Sequence, residues 1–354
     1  MTIRLGKRLK NLVLIFIWLL TACQFASPSP ELTATADNTI PSEIEVQEIP
    51  LTGPAASRPA EISGMAWFGD TLILLPQYPD RFGEMDKGAV FALKKTAILD
   101  FLENPSAYPL DPFPITFDDG GLNKEIQGFQ GFEAIAFTGE RVYLTIEARP
   151  DKMKGYIVSG SIQKDLTGIR LDPTTLIEIP LPVYLNNTSD ESVLIYKDNV
   201  FTLFEANGRK INPSPVAPEF SLSLQPLGML PFPNIEYRIT DAAPPDQNGN
   251  FWAINYYFPP DEMRLKPQSD LLAERYGLGK THRQNLTVER LVQFHIGDDE
   301  IQRIDIPPVQ LRLEGDIAPR NWEAIALLDQ RGFLIATDKF PRTILGFVKY
   351  KIIN

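Results

Sequence analysis

The chain is poor in soft ligands and nucleophiles. It has one cysteine, Cys23, and two histidines, His282 and His295, in 354 residues. A single cysteine excludes a disulfide within the chain, so stability has to come from packing. Two isolated histidines exclude a histidine-rich zinc or copper centre. Basic charge is also short: 34 Lys and Arg stand against 45 Asp and Glu, for a formal net charge of -11. That balance disfavours nucleic acid, whose phosphates require neutralisation. No Gly-x-Ser-x-Gly elbow is present, which argues against a serine nucleophile. The apolar stretch Leu12 to Leu20 is too short to span a bilayer.

That stretch has a different reading. Lys7, Arg8 and Lys10 precede it and Leu20-Thr21-Ala22-Cys23 ends it. The charge layout is that of a signal peptide over residues 1–22, and the four residues resemble a bacterial lipobox. Cys23 is therefore the expected lipidation site, and the chain is expected to be an extracytoplasmic, membrane-anchored lipoprotein of the cell envelope. Residues 23–42 are rich in Ser, Pro, Thr and Ala and read as a disordered tether. The remainder, 43–354, is expected to be one domain and a monomer.

In that remainder, 23 glycines and 31 prolines in the whole chain punctuate short apolar runs, which points to an all-β protein. Five segments repeat one pattern. The clearest is Phe132 to Arg149, where Glu133 opens one apolar run, Gly139-Glu140 make a turn, and Glu147 closes a second run. The others pair Glu191 with Glu205, Asp241 with Asn255, Glu323 with Asp338 and, in a worn copy, Gly64 with Gln77. The spacings are 14, 14, 14, 15 and 13 residues. Each repeat reads as a β-hairpin with both marked positions at the end away from the turn. Further strand-like runs between hairpins give the anatomy of a β-propeller, with five blades favoured and six possible. Glu43–Leu51 is expected to add the strand that closes the ring.

In a propeller, the first strand of each blade lines the axis, so the marked acids are expected to converge at one mouth. Clustered carboxylates need protons or a cation. An all-oxygen set selects Ca2+, with Mg2+ or Mn2+ less favoured. Glu133, Glu191, Asp241 and Glu323 are the expected metal ligands, and Glu147 or Glu205 the general base. The loops beyond the second strands carry Arg81, Arg149, Arg209, Lys339 and Arg342, which with Asn255 and Asp338 are expected to hold a small anionic substrate or ligand. The long loop from Phe258 to about Asn285 contains a short helix capped by Ser269 and could close as a lid.

The segments SGMAWFGDTLILL, GFEAIAFTGERVYLTIEA and WEAIALLDQRGFLIATDKF resemble the phytase-like ("esterase-like activity of phytase") propeller domain. They are also similar to the SdiA-regulated calcium propellers. The resemblance implies an extracytoplasmic propeller, bound calcium and ester or phosphoester hydrolysis, with Glu133, Glu147, Glu323 and Asp338 at the family's acidic positions. Its usual Glu-Gly is Glu133-Ala134 here, and its Asp-Asn is Asp338-Lys339. The alternatives are a non-catalytic propeller that binds a ligand or protein partner, and a glycosidase that uses two of the carboxylates.

Overall fold

The computed structural model describes residues 40–84, 87–105, 108–314 and 319–352. The signal peptide, Cys23 and most of the tether lie outside the described residues.

Tight turns make the hairpins. Gly69 and Gly139 take the left-handed conformation at φ 56° and 57°, where a side chain would be strained. The third hairpin turns one residue earlier than its Asp198-Asn199 suggests, on Lys197 and Asp198. The hairpins extend into five antiparallel groups, each about four strands deep. The first runs through Ile62–Phe68, Thr71–Pro76, Gly88–Lys94 and Phe113–Asp118. The second contains Phe129–Thr138, Arg141–Ala148 and Lys154–Ile162, with Gly168–Leu171 and Ile177–Ile179 outside. The third is Asp190–Tyr196, Asn199–Phe204, Val216–Ser221 and Pro226–Pro231. The fourth is Arg238–Ala242, Asn250–Tyr257 and Val288–Ile296, with Val309–Leu311 outside. The fifth is Trp322–Leu328, Gly332–Thr337 and Leu345–Lys349, completed by Val46–Ile49 from the start of the domain.

The first strands of successive groups pack side by side, and Trp322–Leu328 packs back against Ile62–Phe68. The ring is closed, and the fold is a β-propeller. The hydrophobic core confirms the geometry, because it is divided among the interfaces between groups. Ala66, Ile73 and Val90 meet Phe132, Ile135 and Val142. Ala136 and Tyr143 meet Val193 and Val200. Leu194 and Phe201 meet Ile239 and Phe251. Trp252 and Ile254 meet Trp322 and Phe333. Leu334 and Ala326 meet Met65 and Leu72. Burial of such side chains contributes about 1.5–3 kcal/mol each, so each interface resists opening of the ring.

Several local expectations change. The run FSLSLQPL, residues 220–227, has the apolar alternation of a single strand but is broken by a turn between Val216–Ser221 and Pro226–Pro231. The stretch between Asn255 and Glu323 holds no further inner hairpin among the described residues. The short helix is Leu271–Tyr276, and its cap is Asp270, which accepts from the amides of Leu272 and Ala273. A carboxylate is the better cap because it also answers the helix dipole. A helix at Lys95–Glu103 was not expected in an all-β reading.

Candidate functional site

Every inner strand carries a bulge near the mouth, and the bulged residue is the one whose side chain is re-aimed. The register shifts fall at Ser63, Glu191, Thr240 and Glu323, and at Glu133 or Ala134 in the second strand. Glu133, Glu191 and Glu323 thus occupy matching places. Asp241 does not, because the residue equivalent to them is Thr240. The fourth hairpin has a longer connection through Pro244 and Pro245, so a constant spacing of 14 aligns it one residue off. A slip of one residue reverses the side-chain direction. Asp241 accordingly faces away from the mouth, accepting from its neighbour's amide at Ala242 and from Ile325 N on the next inner strand, both at 2.8 Å.

The same slip moves Asn255. Its register partner is Ile239, and Tyr256 takes the place held elsewhere by Gln77, Glu147, Glu205 and Asp338. Asn255 is fully buried and ties Glu236 O, Arg238 O and the Arg290 side chain together. In the worn first copy, the bulged residue is Ser63 rather than Gly64.

The mouth is a cavity of about 670 Å³ lined by Glu133, Glu147, Glu191, Glu323 and Asp338, together with Gln77, Tyr256 and Asn321. Asp261, Arg264 and Phe258 reach it from the long loop, and Lys339 and Phe340 from the last one. Of the residues the sequence singled out, five acids and Lys339 therefore meet. Arg81 does not line the cavity; it pairs with Glu61 at 2.8 Å and lies over the Tyr78 ring. Arg209 is held by Glu236 and Arg342 by Glu48, and Arg149 is exposed outside the cavity. Arg81, Arg209 and Arg342 are each held by a carboxylate outside the cavity, whereas Lys339 lines the cavity while pairing with Glu61 at 2.8 Å.

Glu205 is sealed behind the mouth. It is wholly buried and pairs with Arg238, a residue that sequence reasoning missed. Arg238 also reaches Glu323 at 3.0 Å and Asn321 at 3.1 Å. Burial opposes its charge, but Glu323 and Glu191 hold its pKa above the usual value. A signal for Arg238 existed. The residues two places before each bulge are Glu61, Gly131, Ser189, Arg238 and Asn321. Four of the five are polar, and the fifth is glycine because Gln77 fills the space where a Cβ would stand, 2.3 Å away.

Arg238, Arg264 and Lys339 cannot neutralise the six carboxylates of the cavity. Burial and the neighbouring Glu147 push Glu133 well above the ordinary carboxylate range, despite a hydrogen bond from Gln77 at 3.1 Å. Burial, then Glu133 and Glu323, do the same to Glu191. Burial pushes Glu147 up to about 7, opposed by the Ser189 hydroxyl. Asp338 rises to about 7 through burial and repulsion from Glu323. Glu147 Oε2 is buried without a hydrogen-bond partner. The donor set suits a hard cation in chemistry but not in present geometry. Among the described residues no three Asp, Glu, His or Cys side chains stand close enough to hold one ion. A second cavity of about 660 Å³ lies at the turn end of the second hairpin, lined by Glu140, Arg141 and Arg170, and its acids are exposed. Carboxyls raised by burial and standing in an open cavity are therefore found at the mouth and not at the second cavity, where Asp172 is instead lowered by its hydrogen bonds from Thr174.

No protein-family model matches the chain, and no curated protein matches it. The phytase-like resemblance stands on its three segments alone. Among solved structures the chain is similar to a glucose dehydrogenase, at 9% identity and a TM-score of 0.43, covering 88% of this chain and 100% of that one. It is similar to the soluble aldose sugar dehydrogenase of Escherichia coli, at 11% and 0.42, covering 86% and 99%. A thermostable family-43 glycoside hydrolase gives 11% and 0.47, covering 86% and 91%. These likenesses carry no argument about chemistry.

Proposed function

We propose that this propeller, read as five-bladed, is a hydrolase of acid–base type, acting on a neutral ester or glycoside bond at the acid-rich mouth. The observation that carries this reading is Glu147. Its carboxyl lines a cavity large enough for a small molecule, and burial pushes it up to about 7, which suits a group that lends a proton at neutral pH. Glu323 is its complement: Arg238 and Asn321 both donate to its Oε1, at 3.0 and 2.5 Å, which fixes it as an acceptor. Glu147 would protonate the departing oxygen, and Glu323 would orient water or stabilise positive charge on the reacting carbon. Glu205, enclosed with Arg238, acts by fixing that arginine.

Six carboxylates against three basic side chains favour a neutral, hydroxyl-bearing ligand over the anionic one that the basic loops suggested. A panel of p-nitrophenyl esters, glycosides and phosphate tests this, with and without chelator. Turnover of a neutral substrate that falls 100-fold or more in Glu147→Gln is expected. Wild-type protein inert across the panel would leave the ligand-binding alternative in its place.

One observation favours a second reading, a divalent-cation site in the phytase-like manner. Glu133, Glu147 and Glu191 repel one another with no basic partner of their own at hydrogen-bond distance, and Glu147 Oε2 is without any partner. These three, with Gln77, would hold Ca2+ (Mg2+ and Mn2+ behind it) once drawn together, and the ion would supply Lewis acidity. Presentation on the cell envelope through a lipidated Cys23 belongs to the same proposal. Membrane release of a Cys23→Ser variant tests it.

A further inference from the structure

We infer that Phe258 and Phe340 form a ring-binding subsite at the mouth, receiving a flat aryl group or the apolar face of a sugar ring attached to the bond being cleaved. This deepens the hydrolase reading and rests on it only for the cleavage of the attached bond. Both side chains line the same cavity as Glu147 and Glu323. Both are markedly exposed, at 39% and 47%. Large apolar side chains in this chain are otherwise mostly enclosed, and many phenylalanines lie in ring pairs, such as Phe117 with Phe132 and Phe251 with Phe294. Phe258 and Phe340 take part in none of the ring pairs found among the described residues.

Their backbones are fixed. Phe340 N donates to Asp338 Oδ1 at 2.7 Å, and its carbonyl accepts from Asn321 N at 3.1 Å. Asp338 and Asn321 are themselves cavity residues, so the ring of Phe340 is referenced to the acids. Phe258 follows directly on the strand that carries Tyr256, and its carbonyl accepts from Asp261 N at 2.9 Å. Arg264, six residues on, then anchors the loop to the carbonyl oxygens of Asn186 and Asn187 across the mouth. Two cations already lie against the Phe340 ring, the Arg58 guanidinium 5.3 Å from its centroid and Lys339 Nζ 5.9 Å from it, so a ligand ring meets Phe340 beside them. The carboxylates recognise hydroxyls but offer nothing to a hydrocarbon face, and two held phenyl rings supply that part.

Ligand-observed NMR tests the subsite by equilibrium binding, so turnover is not needed. The probes are 4-nitrophenol for an aryl ring and methyl β-D-glucopyranoside for a sugar ring. At least one is expected to bind wild-type protein, and its affinity to fall roughly tenfold in Phe258→Ala and in Phe340→Ala, the scale of one lost stacking contact. Phe340→Leu, which keeps bulk without a flat face, should lose most of the same affinity while melting as wild type does. Ring binding in a protein that hydrolyses nothing would uphold the subsite and sink the catalytic reading. Failure of both probes to bind, or binding indifferent to both phenylalanines, would overturn the inference.

Discussion

Thr240 Oγ1 donates to the carbonyl oxygen of Trp322, 2.6 Å away on the next inner strand. Trp322 precedes Glu323, so this bond fixes the backbone from which one of the mouth acids projects. Ser63 makes the same bond to Phe132 O, at 2.6 Å, just before Glu133. Two of the five bulge positions therefore staple their neighbours, and the other three present carboxylates. A hydroxyl serves for stapling because it can donate to a buried carbonyl without bringing a charge.

Thr240→Val should cost about 1–3 kcal/mol of stability, because it leaves the Trp322 carbonyl buried and unpaired. The loss is read by denaturant unfolding. If that bond also sets Glu323, hydrolysis should weaken beyond the loss of folded protein. An unchanged melting point would show the contact to be dispensable.

Asp241→Asn and Glu191→Gln should separate cleanly. Asp241 accepts two backbone N–H groups, so the asparagine variant should be destabilised by roughly 1–3 kcal/mol yet keep its ligand and cation behaviour. Glu191 faces the cavity, and its glutamine variant should alter binding with little loss of stability. Calorimetry and thermal melts on both variants check the contrast.

Arg238→Ala should be among the most damaging single changes at the mouth. It strands Glu205, which is wholly enclosed, beside Glu323. Removing one partner of a buried ion pair costs about 3–5 kcal/mol. Arg238→Ala with Glu205→Gln should recover part of it, and a double-mutant cycle measures the coupling.

Stability should fall as pH rises from about 5 to 8. Burial pushes Asp190 up to about 7, with both of its oxygens lacking hydrogen-bond partners, and Glu147 and Asp338 also lie near 7. A carboxyl whose pKa is raised on folding stabilises fully below its unfolded value, near 4, and loses that contribution as pH passes through 7. Asp190→Asn removes one such group. Its melting point relative to wild type should climb between pH 5 and pH 8, and a flat difference would argue that Asp190 is not buried as an acid.

If the mouth accepts Ca2+, the ion must compete with the protons on Glu133 and Glu191. Added Ca2+ should then raise the melting point more at pH 8 than at pH 5, and a Glu133→Gln, Glu191→Gln double variant should show no rise at either pH. Equal rises at both pH values would place any bound ion elsewhere.

The sequence by itself determined the propeller and most of its mouth. Hairpin turns, alternating apolar runs and the recurrent acids follow from local chemistry, and the Glu133, Glu147, Glu191, Glu323 and Asp338 positions could be read because their hairpins share nearly the same turn length. The Val46–Ile49 strand that closes the ring was equally legible, since the last hairpin group lacked an outer strand. Tertiary structure alone decided the rest. In the fourth hairpin a longer connection shifts the register, and a strand's period of two turns that single residue into the opposite face for Asp241 and Asn255. The pairing of Arg238 with Glu205 and Glu323 joins residues 33 and 85 apart in the chain, and no local pattern announces which distant acid a buried guanidinium will meet. Which basic loop residues reach the pore was settled in the same way, by where each loop lies in space rather than by its place in the repeat: Arg81 and Lys339 both pair with Glu61, and only Lys339 lines the cavity.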